Sequence, residues 1–233
     1  MTAFPAKGYG DEYPQAITID GVRSTLRWET RWSRYFEDAA GHGMLIPRFM
    51  DGSASVTARE IEAEWPAWSQ RERDDFCEAC GALTDVEELA GILRYVMRVG
   101  GPDEWFAVAL DVARILPMDE AFELLAGALL TTGVPMACNI TQGIAATKHP
   151  DAPGLLSRHL EQLWSQPQIW EHDDFTNWTA FDATMCIEGL LELGASPSDF
   201  ESRVRQLSEH SCAGNRQSCR TFLTRYYPWL SRT

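Results

Sequence analysis

The chain has 233 residues, of which 45% are hydrophobic and 23% are charged. This composition is typical of a globular protein with ample length for a core, and it excludes disorder over most of the chain. The formal net charge of −14 excludes a generally basic, nucleic-acid-coating protein.

The acidic charge is concentrated in the middle of the sequence. Residues 61–130 contain fifteen Asp and Glu against five Lys and Arg, and residues 131–200 contain nine against two. Residues 201–233 reverse the sign, with two acidic and six basic residues. Such a field repels phosphate backbones and attracts basic proteins, so we expect a basic protein partner and no nucleic acid through the central region. The simpler interpretation, that acidity only maintains solubility, stays open.

No window approaches the roughly 18 apolar residues of a membrane span, so no membrane partner is expected. The first residues, MTAFPAKGYGDEYPQ, lack the basic-then-apolar order of a signal peptide. We therefore expect a cytoplasmic protein. The six cysteines are scattered through helical patterns, which favours reduced core thiols over disulfides.

Residues 1–56 are predicted to form an N-terminal cap. Apolar residues alternate about the Asp20-Gly21 pair, which favours a small hairpin. Further along, Trp32, Tyr35 and Phe36 fall on one helical face, which predicts a short helix.

The helical part of the chain begins at residue 57. Thr57 and Glu60 have the spacing of a capping box, so a helix is expected to start at Ala58. Pro66 interrupts it, because proline disfavours helix in the residue before it. Paired helices are then predicted at 66–82 with 85–99, 105–116 with 118–133, 136–147 with 151–164, and 177–193 with 198–210, followed by a final helix.

The second helices of these pairs begin near Asp85, Met118, Asp151 and Ser198, in steps of 33, 33 and 47 residues. Such periods are typical of helical repeats. Over about residues 66–230 the chain resembles the HEAT and armadillo-like superfamily, most closely in DATMCIEGLLELGASPSDFESRVRQL. The resemblance implies an all-α fold: a short right-handed α-solenoid of about four HEAT-like hairpins over residues 57–233, with the small N-terminal cap.

The longest step contains about 14 extra residues near 165–178, and insertions in repeat arrays often carry the binding face. This segment combines aromatic anchors with acidic groups, a mixture typical of binding hot spots for basic proteins. The predicted partner-binding residues are Trp170, Glu171, His172, Asp173, Asp174, Phe175 and Trp178. The alternative is that Asp173 or Asp174 caps the next helix while the aromatic rings pack against it.

No residue pattern indicates catalysis, a cofactor or a metal. Cys77 and Cys80 have C-x-x-C spacing but lack a second pair, so we interpret them as core residues of a helix. His159 lies on an apolar stripe and is interpreted as a satisfied core histidine.

The first function hypothesis is a non-enzymatic protein-binding module that uses an acidic surface to receive a basic protein. A specific version is an immunity-type antitoxin that masks a basic toxin. The alternative is an enzyme or small-ligand-binding protein with a pocket near the insertion, lined by Trp164, Trp170, Trp178, Asp173, Asp174 and His172.

Overall fold

The structure, a computed structural model, describes residues 16–19, 21–50, 52, 54–132, 137–172 and 176–232. Within these ranges the chain is mostly helical, with ten α-helices and one four-stranded sheet. It divides into two compact units, Met1–Arg98 and Val99–Thr233. The predicted boundary at residue 57 falls inside the first unit. No helix in the described ranges is long and apolar enough to cross a membrane.

The sheet lies in the first unit. Its strands β1 to β4 span Ala16–Ile19, Val22–Glu29, Ser33–Asp38 and Gly43–Pro47. They neighbour one another in chain order, and every pair is antiparallel. β1 and β2 pair on either side of residues 20–21, where the sequence predicts a hairpin, although Asp20 lies outside the described residues. Gly21 has a φ of +80°, a left-handed conformation that glycine adopts without strain.

The helix predicted around Trp32, Tyr35 and Phe36 is wrong, because residues 33–38 form strand β3. The spacing of the three rings fits a helical face, but Trp32, Arg34 and Phe36 also alternate along the chain and all are buried. Trp28 on β2 stacks on Tyr35 with ring centroids 5.2 Å apart. Cross-strand contacts of this kind stabilise a sheet, so pairing decides the conformation.

Three helices follow the sheet: α1 (Ala58–Glu64), α2 (Gln70–Cys80) and α3 (Val86–Val99). The predicted capping box is confirmed, because Thr57 Oγ1 accepts from the Glu60 amide at 3.2 Å and Glu60 Oε2 accepts from the Thr57 amide at 2.8 Å. A 3-10 turn at Trp65–Ala67 separates α1 from α2, as Pro66 predicts. Ser69 begins α2 with a second capping box.

The core of the first unit contains clustered aromatic rings. Trp32 contacts Phe49 and Phe76 at centroid distances of 5.6 and 5.1 Å. On the same helix as Phe76, the side chains of Cys77 and Cys80 are buried. The interpretation of this C-x-x-C spacing as part of the core is confirmed.

Seven helices form the described part of the second unit: α4 (Pro102–Ile115), α5 (Met118–Thr131), α6 (Cys138–Thr147), α7 (Ala152–Trp164), α8 (Trp178–Glu192), α9 (Glu201–Ser208) and α10 (Ala213–Leu223). α4, α6, α8 and α10 pack side by side in that order. α5, α7 and α9 each pack on members of this row. This packing buries apolar side chains of every helix in the unit.

The end of the second unit differs from the prediction. A single final helix was expected to carry Phe222, Leu223, Tyr226, Tyr227 and Leu230. Instead, α10 ends at Leu223, and a 3-10 turn spans Pro228–Arg232. Pro228 lacks an amide proton and disfavours helix before it, which accounts for the break.

Candidate functional site

The predicted binding segment, residues 165–178, connects α7 to α8. It contains a 3-10 turn at Pro167–Trp170. Asp173, Asp174 and Phe175 lie outside the described residues, so their predicted roles stay predictions. The residue that caps α8 is Asn177, whose side chain accepts from the Ala180 amide at 3.0 Å.

Two buried asparagines tie this segment to the helices. Nδ2 of Asn177 donates to the carbonyl oxygens of Gln168 and Glu171 at 2.7 and 2.9 Å. Asn177 and Asn215 also exchange two bonds of 2.8 Å, each between a side-chain amide and a backbone group. Because a buried amide without partners is costly, these bonds hold the backbone at Gln168, Glu171 and Asn177 in place.

Trp170 is 42% exposed although its ring is held on two sides. It meets Trp164 edge-on at 5.3 Å and stacks on His210 at 5.9 Å. Nδ1 of His210 accepts from the Cys212 amide at 3.0 Å, and Nε2 donates to the Ile169 carbonyl at 2.8 Å. These bonds fix a neutral imidazole in one orientation. Trp170 therefore presents an ordered aromatic surface.

Trp178, the first residue of α8, is 46% exposed. Its ring contacts Phe181 edge-on at 5.7 Å. Glu171 and His172 are exposed between the two tryptophans in sequence. The pocket hypothesis places Trp164, Trp170 and Trp178 in one lining. Trp170 contacts Trp164, but the ring of Trp178 contacts Phe181.

A groove of about 550 Å³ lies where the end of α5 meets α7. Its lining residues are Leu129, Leu130, Thr132, Leu155, Arg158, His159, Gln162 and Gln166. None of these residues is acidic, in contrast to the chain as a whole. Oγ1 of Thr132 is buried without a hydrogen-bond partner. The groove therefore offers polar groups to a small ligand.

His159 belongs to a buried network beside this groove. Its Nε2 lies 2.7 Å from Oδ2 of Asp182, and Thr141 Oγ1 donates to Oδ1 of Asp182 at 2.8 Å. Asp182 is fully buried and His159 is 7% exposed. An ionised carboxylate only accepts, so Nε2 of His159 donates. The interpretation of His159 as a satisfied core histidine is confirmed, with Asp182 as its partner.

Two buried thiols lie near this carboxylate. Cys186 follows Asp182 by one turn of α8, and Cys138 begins α6. Burial, and then the negative charge of Asp182, raises the pKa of Cys186 well above its usual value. The same two causes raise the pKa of Cys138 to about 12. Both side chains are therefore protonated thiols at neutral pH.

Asp182 is not among the functional residues predicted from the sequence. It is the one charged residue among the first ten of α8, a helix that is otherwise buried on almost every side. A lone carboxylate in such a helix needs a buried partner, which is the signal that could have found it. The identity of that partner, His159, was not visible because it is 23 residues away on another helix.

A shallower groove of about 230 Å³ is lined by residues of α4, α6, α8 and α10, among them Leu110, Gln142, Glu188 and Phe222. Arg225 contacts Glu188 at 3.1 Å and Glu192 at 2.5 Å. Burial, and then the nearby Glu192, raises the pKa of Glu188. Two carboxylates share one guanidinium here, so a further cation would be favoured.

The arginines near the end of the chain pair largely within the second unit. Arg203 bonds to both carboxylate oxygens of Glu161, and Arg205 bonds to Glu201 at 2.6 Å. Arg216 donates to backbone carbonyl oxygens at residues 210 and 211. The positive charge at 201–233 thus serves intramolecular pairing.

Comparisons with models of protein families, with curated proteins and with solved structures find no match to this chain.

Proposed function

We propose that this chain is a non-enzymatic protein-binding module whose second unit is a short HEAT-like helical array. The ordered row of α4, α6, α8 and α10, with α5, α7 and α9 packed on it, supports a repeat architecture. Stacked helical pairs of this kind present extended surfaces on which partners bind.

The observation that carries the proposal is the state of Trp170 and Trp178. Both rings are more than two-fifths exposed on a segment whose backbone is held by Asn177 and Asn215. Exposed tryptophans are a common centre of binding hot spots. A surface that is already ordered also loses less entropy on binding, so this arrangement favours association.

The charge of the chain supports a basic partner. Glu171 is exposed next to Trp170. On α8, Glu188 and Glu192 both form ion pairs with Arg225. A basic protein would be steered toward such a surface, and the contact would weaken as salt rises. An immunity-type antitoxin that masks a basic toxin is the specific form that fits these properties.

The test uses the full chain immobilised and exposed to extract of its own host, with elution by rising salt and identification by mass spectrometry. We expect one basic protein to be retained by the wild type and lost from the Trp170→Ala/Trp178→Ala double variant. Met118→Ala is the matched control, because Met118 is 45% exposed on α5 and lies outside both the segment and the groove over His159. Recovery of acidic proteins only, or equal loss from the control, would contradict the proposal.

A second candidate, a small-ligand-binding protein, is favoured by the groove over His159. Its lining of Arg158, His159, Gln162 and Gln166 suits a small ligand with a carboxylate or other acceptor. A screen of small carboxylates by NMR is expected to shift the ring signals of His159 and leave those of His210 unchanged. Equal shifts at both histidines, or none, would remove this candidate.

A further inference from the structure

Three buried side chains of different chemistry converge in the second unit, apart from the proposed partner-binding segment. His159 on α7, and Asp182 and Cys186 on α8, each offer one ligand atom, and these atoms lie within 4.8 Å of one another. Residues four apart share a helix face, which places Asp182 and Cys186 together. All three residues are buried, and a network of this composition is more than packing requires.

We propose that His159, Asp182 and Cys186 form a binding site for a divalent cation that prefers nitrogen and sulfur ligands, with Zn²⁺ as the best match. Imidazole nitrogen, carboxylate oxygen and thiolate sulfur are all ligands of zinc sites. Mg²⁺ and Ca²⁺ fit poorly, because both prefer sets of oxygen ligands. The fourth position of a tetrahedral ion is left for a water molecule.

Binding of zinc requires only a small separation of the ligand atoms of His159 and Asp182. Zinc bonds of about 2.0–2.2 Å to nitrogen and oxygen, and about 2.3 Å to sulfur, place tetrahedral ligand atoms about 3.3–3.6 Å apart. Nε2 of His159 and Oδ2 of Asp182 are now 2.7 Å apart. The ion replaces the proton between them, and the two atoms separate by about 0.6 Å.

The charges balance on binding. The Nε2 proton of neutral His159 moves to Nδ1, and the thiol proton of Cys186 leaves for solvent. The two positive charges of the ion then meet one carboxylate and one thiolate, so the buried site is neutral overall. A bound dication favours the thiolate through its own charge, so metal binding and loss of the thiol proton are coupled.

Two further features fit an ion site. Thr141 donates to the second oxygen of Asp182 and so holds the carboxylate in one orientation, as ligand carboxylates in metal sites are usually held. His159 also lines the groove of about 550 Å³, which gives an ion a route to the site from solvent.

The test uses the full chain stripped of metal by a chelator and titrated with Co²⁺, then with Zn²⁺ as competitor. Thiolate-bound Co²⁺ gives a charge-transfer band in the near ultraviolet. We expect saturation at one equivalent, loss of the band in Cys186→Ala, and at least a tenfold weaker affinity in His159→Gln. Thr141→Val is expected to weaken Co²⁺ binding about 10–100-fold, because it removes only the support of Asp182.

Cys219→Ala is the matched control. Cys219 is a buried thiol of α10 in the same unit, and its Sγ lies 4.0 Å from Oγ1 of Thr184. Its substitution is expected to leave the charge-transfer band unchanged. No band, a band that survives in Cys186→Ala, or equal loss in Cys219→Ala would overturn the site. If Cys186→Ala does not fold, X-ray absorption of the zinc-loaded wild type decides: one sulfur ligand supports the site and none overturns it.

Discussion

The segment 165–178 and the cluster around Asp182 depart from the apolar pattern of the second unit in opposite directions. The segment leaves two tryptophans largely exposed, although burying such rings is strongly favourable. The cluster buries a carboxylate completely, although removing a charge from water is costly. Both departures lower the free energy of unfolding. We therefore infer that each serves a function of the protein other than folding.

The two regions are supported in different ways. Asn177 and Asn215 hold the backbone that carries the exposed rings, so the segment can lose its outward contacts without losing its shape. The buried carboxylate is held by its bonds to the side chains of Thr141 and His159. The difference shows that changes in the segment should alter binding more than folding, and changes in the cluster should do the reverse.

The largest effect is expected from Asp182→Ala. It leaves His159 and Thr141 without their shared buried partner, and breaking a buried charged pair lowers the free energy of unfolding by about 3–5 kcal/mol. Urea denaturation followed by tryptophan fluorescence measures this loss. Glu123→Ala removes an exposed carboxylate of α5 and should change stability by no more than about 0.5 kcal/mol. Equal losses in the two variants would mean that the buried network does not stabilise the unit.

Trp170→Ala is expected to have the opposite profile. The loss of an exposed hot-spot ring should weaken binding of the captured basic protein by about 2 kcal/mol or more. Its effect on unfolding should stay near 1 kcal/mol, about the mean cost of a single substitution. Calorimetry gives the binding term and urea denaturation gives the stability term. A stability loss larger than the binding loss would remove the distinction between the two regions.

Asn177→Ala tests the support of the segment itself. It removes the cap of α8 and the bonds to Gln168 and Glu171, so we expect a loss of about 1–3 kcal/mol in unfolding free energy. Hydrogen exchange should become faster at the first amides of α8. Ser69→Ala removes a helix cap in the first unit at a cost of about 1 kcal/mol and should leave those amides unchanged.

The smallest effect is expected from Glu188→Gln. The raised pKa of Glu188 means that the folded chain holds this proton more tightly than the unfolded chain does. Its contribution to stability is therefore present below the unfolded pKa and is lost as pH rises through the folded pKa. The variant should lessen the fall in stability that occurs as pH rises through the raised pKa of Glu188, as measured by urea denaturation across that range. Glu123→Gln, measured in parallel, should leave this fall in stability unchanged.

Local signals in the sequence predicted most of the helices. Thr57 and Glu60 located the start of α1, and the expected helix start at Met118 matches α5. The sheet was missed in part, because Trp32, Tyr35 and Phe36 satisfy both a helical and an alternating pattern. Only pairing with neighbouring strands, which lies beyond any local window, separates these outcomes.

The candidate sites show the same difference between local and long-range signals. The segment 165–178 could be found because it lengthens the spacing between helical pairs. Its anchor could not, since Asn177 and Asn215 are 38 residues apart. His159 looks like an ordinary core position when taken alone, and only its 2.7 Å contact with Asp182 makes the two residues a site.

Photo-crosslinking in extract of the native host tests most directly whether the segment around Trp170 receives a basic protein. A benzophenone amino acid is placed at Trp170 in one variant and at Met118, an exposed position of α5, in another. The proposed function predicts a crosslinked product with one basic protein from position 170 only, weakened by high salt. No product at position 170, or the same product from both positions, would contradict it.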